Sequence, residues 1–188
     1  MGSFAEKNTS VINSYRMLSL FLMIGVLAIT GVALFLYSTS TADRVNVENG
    51  NYQTYLIMLY AVSTGVYLFM GLRKKLHFKP ESIKSLWYEH SKDEQGRDIT
   101  DPDLRSGRII NLYLNLELFL LEGPAIIGLT FSIVLSMGGE MPASALDIMF
   151  FIPAAYQVFH VLRNRNNMQR IEDIYHEHVL PVVKNLDI

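Results

Sequence analysis

The chain has 188 residues, half of them apolar, and a mean hydropathy of +0.21. Its charged fraction of 18% falls below the ~25% ordinary for soluble domains, and a net charge of −2 gives no electrostatic footprint for nucleic acid. The absence of cysteine excludes disulfides, thiolate metal sites and thiol catalysis in one step.

Four apolar runs stand out in chain order: Met17–Ser38, Thr54–Leu72, Ile109–Met137 and Ala145–Leu162. Each has about 18 residues or more, enough to cross a hydrocarbon core of ~30 Å at ~1.5 Å per residue. The alternative is four buried helices of a soluble bundle. Such helices carry a polar face at period 3.6, whereas Met17–Tyr37 has no charge on any face. The expected fold is therefore all-α: a polytopic membrane protein with four transmembrane helices (17–38, 54–72, 109–137 and 145–162) forming two hairpins. A polar loop, 73–108, and a polar tail, 163–188, complete the chain.

Met1–Tyr15 is short and polar, and the run after it exceeds the ~7–15 residues of a signal-peptide core, so that run is expected to span. Tyr37, Tyr52 and Tyr55 fall at helix ends, where an interfacial aromatic belt would stand, and Asn49-Gly50 between them signals a turn. In the second span Tyr60, Ser63, Thr64 and Tyr67 stack on one face at three- and four-residue spacing. Hydroxyl residues in that pattern serve ordinary helix packing or a polar path.

Residues 73–108 carry nine of the sixteen Lys and Arg. Pro80-Glu81 suits a helix start, and Ile83, Leu86, Trp87 and His90 would share one side, as on a helix lying along the membrane surface or in a small cap. Asp98, Asp101 and Asp103 resemble a calcium ladder only in spacing; no Glu completes it and Pro102 interrupts it. Gly138–Pro142 reads as a tight turn, with Ser144 and Asp147 at capping-box spacing after it. The tail is expected to be helical as far as Pro181, with His176 and His178 diverging too far around a helix to chelate a metal.

Basic residues in short loops mark the cytoplasmic side. With four crossings, both termini share that side with residues 73–108: fifteen Lys and Arg lie inside, and only Arg44 lies outside. The expected location is thus the plasma membrane (the inner membrane of a bacterium).

The two halves can be superposed as parallel repeats. With Arg16 set on Arg108, Thr30-Gly31-Val32-Ala33 falls on Glu122-Gly123-Pro124-Ala125; at the far end Leu72-Arg73 falls on Leu162-Arg163.

The stretch LEGPAIIGLTFSIVL, residues 121–135, resembles the ion-carrying helix of rotary-ATPase proteolipids, in which a carboxylate precedes small residues and an apolar run. It is also similar to a group of small bacterial four-helix membrane proteins with an LLEG helix. Four-helix proteolipids are duplicated hairpins with one carboxylate lost, as Thr30 opposite Glu122 would have it. The resemblance implies an ion-handling role for Glu122. It does not extend to a rotor subunit, because proteolipids carry the carboxylate on the second helix of a hairpin and have short polar loops.

Within hydrocarbon a carboxylate costs several kcal/mol or more, so Glu122 is the leading candidate residue. Asn111, Asn115 and Glu122 share a face at offsets of four and seven. Glu117, about 140° away around the helix, lies nearer the basic end and can snorkel there or pair with a cytoplasmic Arg. No Lys or Arg lies in any of the four apolar runs. Glu122 is therefore expected to be protonated at neutral pH and to donate to Thr64, Ser63, Tyr60 or Tyr67, at a helix kinked by Pro124. Small residues Gly65, Gly71, Gly123, Gly128, Ala154 and Ala155 are expected to let helices approach closely.

Two functions follow. The first is a non-enzymatic integral membrane protein, structural or an accessory subunit, whose partners are the lipid bilayer and further copies or other membrane subunits. The second is a proton- or cation-translocating component using Glu122, Asn115, Thr64, Tyr60 and Tyr67. No cofactor, metal or catalytic residue is expected; a haem held by two His would need both in spans, and only His160 lies in one.

Overall fold

The computed structural model describes residues 4–39, 50–93, 95–138 and 145–186. Within them the chain is helical: α1 (Phe4–Lys7), α2 (Thr9–Thr39), α3 (Gly50–His77), α4 (Pro80–Glu89), α5 (Pro102–Gly138), a 3-10 helix (Ala145–Phe150), α6 (Ile152–Asn164), α7 (Met168–Ile174), a π turn (Tyr175–Val179) and α8 (Leu180–Val183). The Asn49-Gly50 turn, the Gly138–Pro142 turn and the Ser144 cap involve positions outside the described residues; Gly50 itself opens α3.

Three helices are long and apolar enough to cross a membrane: Thr9–Thr39, Asn51–His77 and Pro102–Gly138. All three overrun the apolar runs read from sequence. At 37 residues, α5 is ~55 Å long at 1.5 Å per residue. It begins seven residues early because Pro102 supplies a preset φ at the first turn, while the Asp101 carboxylate accepts the Asp103 N–H at 2.9 Å, satisfying one of the amides a helix start leaves open.

The fourth run differs from expectation. It is not one helix over 145–162 but a six-residue 3-10 helix followed by the thirteen residues of α6. The break falls where Pro153 has no N–H to give the carbonyl of Met149, four residues back, and its ring crowds that carbonyl. The hydroxyl of Tyr60 donates to the Met149 carbonyl instead, at 3.1 Å. Under the superposition of halves the counterpart of Pro153 is Ser63, inside the unbroken α3. The hairpins therefore differ at this point.

The chain divides into two compact units. The first comprises Met1–Ser19, Met70–Glu117 and Arg163–Ile188; the second comprises Leu20–Phe69 and Leu118–Leu162.

In the first unit α4 turns Ile83 and Trp87, one helical turn apart, fully inward. Trp87 lies under the Arg105 guanidinium, 5.3 Å from the ring centroid. The apolar side of α4 is thus used inside the protein, which favours a cap over a helix lying on the membrane surface. The tail docks on the same unit: Tyr175 stacks on Phe4 with centroids 3.9 Å apart, and its hydroxyl donates to Asp103 at 2.8 Å. Helix continues past Pro181, which sits in the first turn of α8 where a missing N–H costs nothing. Three of the loop aspartates, Asp93, Asp101 and Asp103, serve separate ends, two of them from the ladder-like set. Asp93 accepts the N–H groups of Gln95 and Arg97 together with the Arg97 Nε, Asp101 caps α5, and Asp103 binds Lys7 at 2.5 Å. The Arg97 backbone N–H first, and the Arg97 guanidinium after it, hold the Asp93 carboxyl below its ordinary range.

The second unit has two apolar clusters. Val26, Ala33, Ala125, Leu129 and Ala154 form one; Tyr52, Leu59, Leu135 and Phe150 form the other. The tyrosines expected as an interfacial belt are packed into this unit. Tyr52 meets Phe150 edge-on, Tyr55 meets Phe131, and the Tyr37 hydroxyl donates to Asp147 at 3.0 Å. Among the glycines expected at close approaches, Gly65, Gly71 and Gly123 have open space where a side chain would go. Gly128 is the tight one: a Cβ there would stand 2.4 Å from the Phe150 carbonyl oxygen. Ala154 is buried and Ala155 exposed.

Candidate functional site

The sequence-derived candidates fall in both units. Glu122, Thr64, Tyr60 and Tyr67 belong to the second unit, and Asn115 to the first. Glu122 is half-buried on α5 and makes no hydrogen bond or ion pair among the described residues. The expected donation to Thr64, Ser63, Tyr60 or Tyr67 is not made. Thr64 is exposed. The Ser63 hydroxyl turns back to the Leu59 carbonyl at 2.7 Å. Tyr60 is committed to Met149, and Tyr67 packs edge-on against Tyr156 at 5.3 Å between centroids. Pro124 lies inside a helix that continues on both sides of it.

Tyr60→Phe removes the hydroxyl that donates to the carbonyl freed by Pro153. The expected loss is about 1–1.5 kcal/mol, read as a lower midpoint in denaturant unfolding of the detergent-solubilised protein. No change would mean that the carbonyl is served otherwise. Also in the second unit, Gln157 is fully buried with both carboxamide atoms unpartnered among the described residues, and the Ser132 hydroxyl is in the same state. A buried carboxamide without partners costs a few kcal/mol. Nothing in the spacing of Gln157 distinguishes it from a surface glutamine of α6; only packing reveals it.

The first unit holds a denser constellation. Nη2 of Arg170, on α7, donates to both carboxylate oxygens of Glu117, on α5, at 2.8 and 2.6 Å. Glu117 is 7% exposed. Burial would pull the Arg170 guanidinium down, but the charge and hydrogen bonds of Glu117 more than offset it, leaving the group above its ordinary value. Tyr15 lies in the field of this pair, its hydroxyl buried without a geometrically formed hydrogen bond. Arg73 stands over the Tyr113 ring, 5.4 Å from the centroid. Two guanidiniums and one carboxylate thus meet among two phenols. Of the two alternatives for Glu117, the structure shows pairing with an Arg; which Arg, across 53 positions, is not readable from spacing.

No family model, curated protein or solved structure matches this chain. The reading of its function therefore rests on its own residues.

Asn115 and Asn111 line an open cleft of about 400 Å³ with Ser10, Ser14, His90 and Arg108. Sequence placed the two asparagines on one helical face; it did not place α2 and the end of α4 opposite them. Arg108 is held there by donating from Nη1 to the Lys92 carbonyl at 2.9 Å.

Proposed function

We propose that this chain is a non-enzymatic integral membrane protein, a structural or accessory subunit that crosses the plasma membrane four times. In this reading both termini and residues 73–108 lie on the cytoplasmic side. The observation that carries it is the composition of the first unit. That unit joins the N-terminal segment, the loop region and the tail, and these three segments contain fifteen of the sixteen Lys and Arg. A tail packed with the N-terminal segment requires an even number of crossings, and basic residues favour the cytoplasmic side.

The broken fourth segment is long enough for its part. Six residues at ~2.0 Å and thirteen at ~1.5 Å, run in line, give about 32 Å, against a hydrocarbon core of ~30 Å. Non-helical backbone at membrane depth is tolerated where protein satisfies it, and Tyr60 does so at Met149. Large apolar side chains exposed along α2 and α3, among them Phe21, Phe35, Ile57 and Leu68, supply the surface for lipid and for neighbouring subunits. The polar side chains of the first unit support a structural role, since Glu117 and Asp103 are each engaged in holding one segment to another.

Reporter fusions test the topology. A periplasmically active reporter is expected to be active after Gly138 and silent after Asp93; activity at Asp93 alone overturns the arrangement.

One observation favours the second reading, proton or cation translocation: Glu122 lies in an apolar helix with no partner among the described residues. Glu122→Gln keeps the shape and a donor. As a structural subunit, the variant behaves as wild type. As a translocating component, it folds but loses proton or cation flux in reconstituted vesicles. A hydrophobic carbodiimide, which modifies protonated buried carboxyls, is expected to label Glu122 at neutral pH.

A further inference from the structure

The cleft on Arg108 has a consistent chemical character. Its polar lining is a guanidinium, an imidazole, two carboxamides and two hydroxyls, from Arg108, His90, Asn111, Asn115, Ser10 and Ser14. No carboxylate lines it. The carboxamide oxygens of Asn111 and Asn115 are acceptors and are buried; neither side chain makes a hydrogen bond among the described residues, so the Nδ2 groups are the ones free to donate. The Nε2 of His90 is unpartnered as well. Ser10 and Ser14 are exposed and lie one turn apart on α2.

Every polar group in this set can donate a hydrogen bond, and one carries a fixed positive charge. A site of that kind suits an oxygen-rich anion, above all phosphate, which a planar guanidinium recognises through charge-assisted bonds. Carboxylates do occur close by. Asp93, Asp98 and Asp101 line a neighbouring cleft that shares Ser10 and Arg108. Asp93 is tied to Arg97 and Asp101 to the Asp103 N–H, so two of the three are already engaged.

Two features point to where such a phosphate would come from. Arg108 immediately precedes the apolar run that starts at Ile109, the level at which a spanning helix meets the headgroup region. Val11 and Leu112 give the same cleft an apolar wall. We propose that this cleft binds a phosphate group, with Arg108 as its charged anchor and Asn111, Asn115, His90 and the two serines as further donors. A phospholipid headgroup and a soluble phosphate present the same oxyanion. The lipid source rests on the membrane reading above; the anion site does not.

The test uses the whole chain, purified in non-ionic detergent. Dioleoyl phosphatidylglycerol and inorganic phosphate are titrated separately, with binding followed by native mass spectrometry for the lipid and by the shift in melting temperature for both. Wild type is expected to retain phosphatidylglycerol. Arg108→Gln removes one charge-assisted anchor and is expected to weaken binding about 10–100-fold.

Because Arg108 also holds the Lys92 carbonyl, a second variant leaves it in place. Ser14→Asp sets a carboxylate at the exposed rim of the cleft and is expected to weaken binding several-fold with the fold intact by circular dichroism. If phosphatidylglycerol binds and both variants weaken it, the site takes a lipid headgroup. If only inorganic phosphate binds, with the same sensitivity, the site stands and its source is soluble. Absence of binding to either probe, or binding that both variants leave unchanged, overturns the proposal. Recovery of the chain in the supernatant after carbonate washing of membranes would sink the membrane reading separately.

Discussion

Arg170→Ala is expected to destabilise the protein by about 3–5 kcal/mol, because it leaves the Glu117 carboxylate buried without its cation. The pair is well shielded: the side chains of Arg170 and Glu117 retain 23% and 10% of their exposure, and one nitrogen serves both carboxylate oxygens. The same contact joins α7 to α5, so its loss should also free the tail. Denaturant unfolding in detergent measures the first effect, and faster proteolysis after Met168 reports the second.

Glu117→Leu combined with Arg170→Met should cost much less than the sum of the single changes, since neither member of the pair is then left facing a missing partner. Arg97→Ala provides the contrast. Its partner Asp93 is close, but the Arg97 side chain is 74% exposed, and exposed pairs are worth about 0–1 kcal/mol. An Arg170→Ala variant within 1 kcal/mol of wild type would show that solvent reaches the pair and that the tail is held by its apolar contacts alone.

Gly128→Ala should be the most damaging of the glycine substitutions in the second unit. The added Cβ would lie 2.4 Å from the carbonyl oxygen of Phe150 and 3.4 Å from Leu59. The first neighbour is backbone and cannot turn aside, so α5 and the 3-10 helix must separate. Overpacking of this kind costs about 1–3 kcal/mol, and the upper end is expected here. Gly123→Ala, five residues earlier on the same helix, meets nothing within 4 Å and exchanges a poor helix former for the best one. It should be neutral, or stabilising by up to about 1 kcal/mol. Melting temperatures of the two variants in one detergent compare them directly. Equal effects would mean that α5 does not approach the 3-10 helix as closely as the backbone places it.

Much of this molecule could be read before folding, because long apolar runs and charge distribution act locally. Helical character and three of the four runs follow from length and hydropathy alone, since a backbone in hydrocarbon must satisfy itself within one segment. The basic bias of residues 73–108 was equally plain. The start of α5 was missed, although Asp101-Pro102 is a capping signal in its own right. Pro153 was visible too, but sequence could not say whether a neighbour would repair the carbonyl it frees; Tyr60, 89 positions away, does.

The site shows the same division. Amino-acid type and helical spacing determined that Glu122 would be an isolated carboxylate in an apolar helix, and that Asn111 and Asn115 would share a face. Tertiary structure decided which groups come together across the chain: Glu117 with Arg170, Gly128 with Phe150, and Asn115 with Ser14 around one cleft. The physical reason is range. Hydropathy, capping and helical phase are set by residues within a turn or two of one another, whereas pairing between helices depends on which faces burial turns inward, and no spacing within a single helix records that choice.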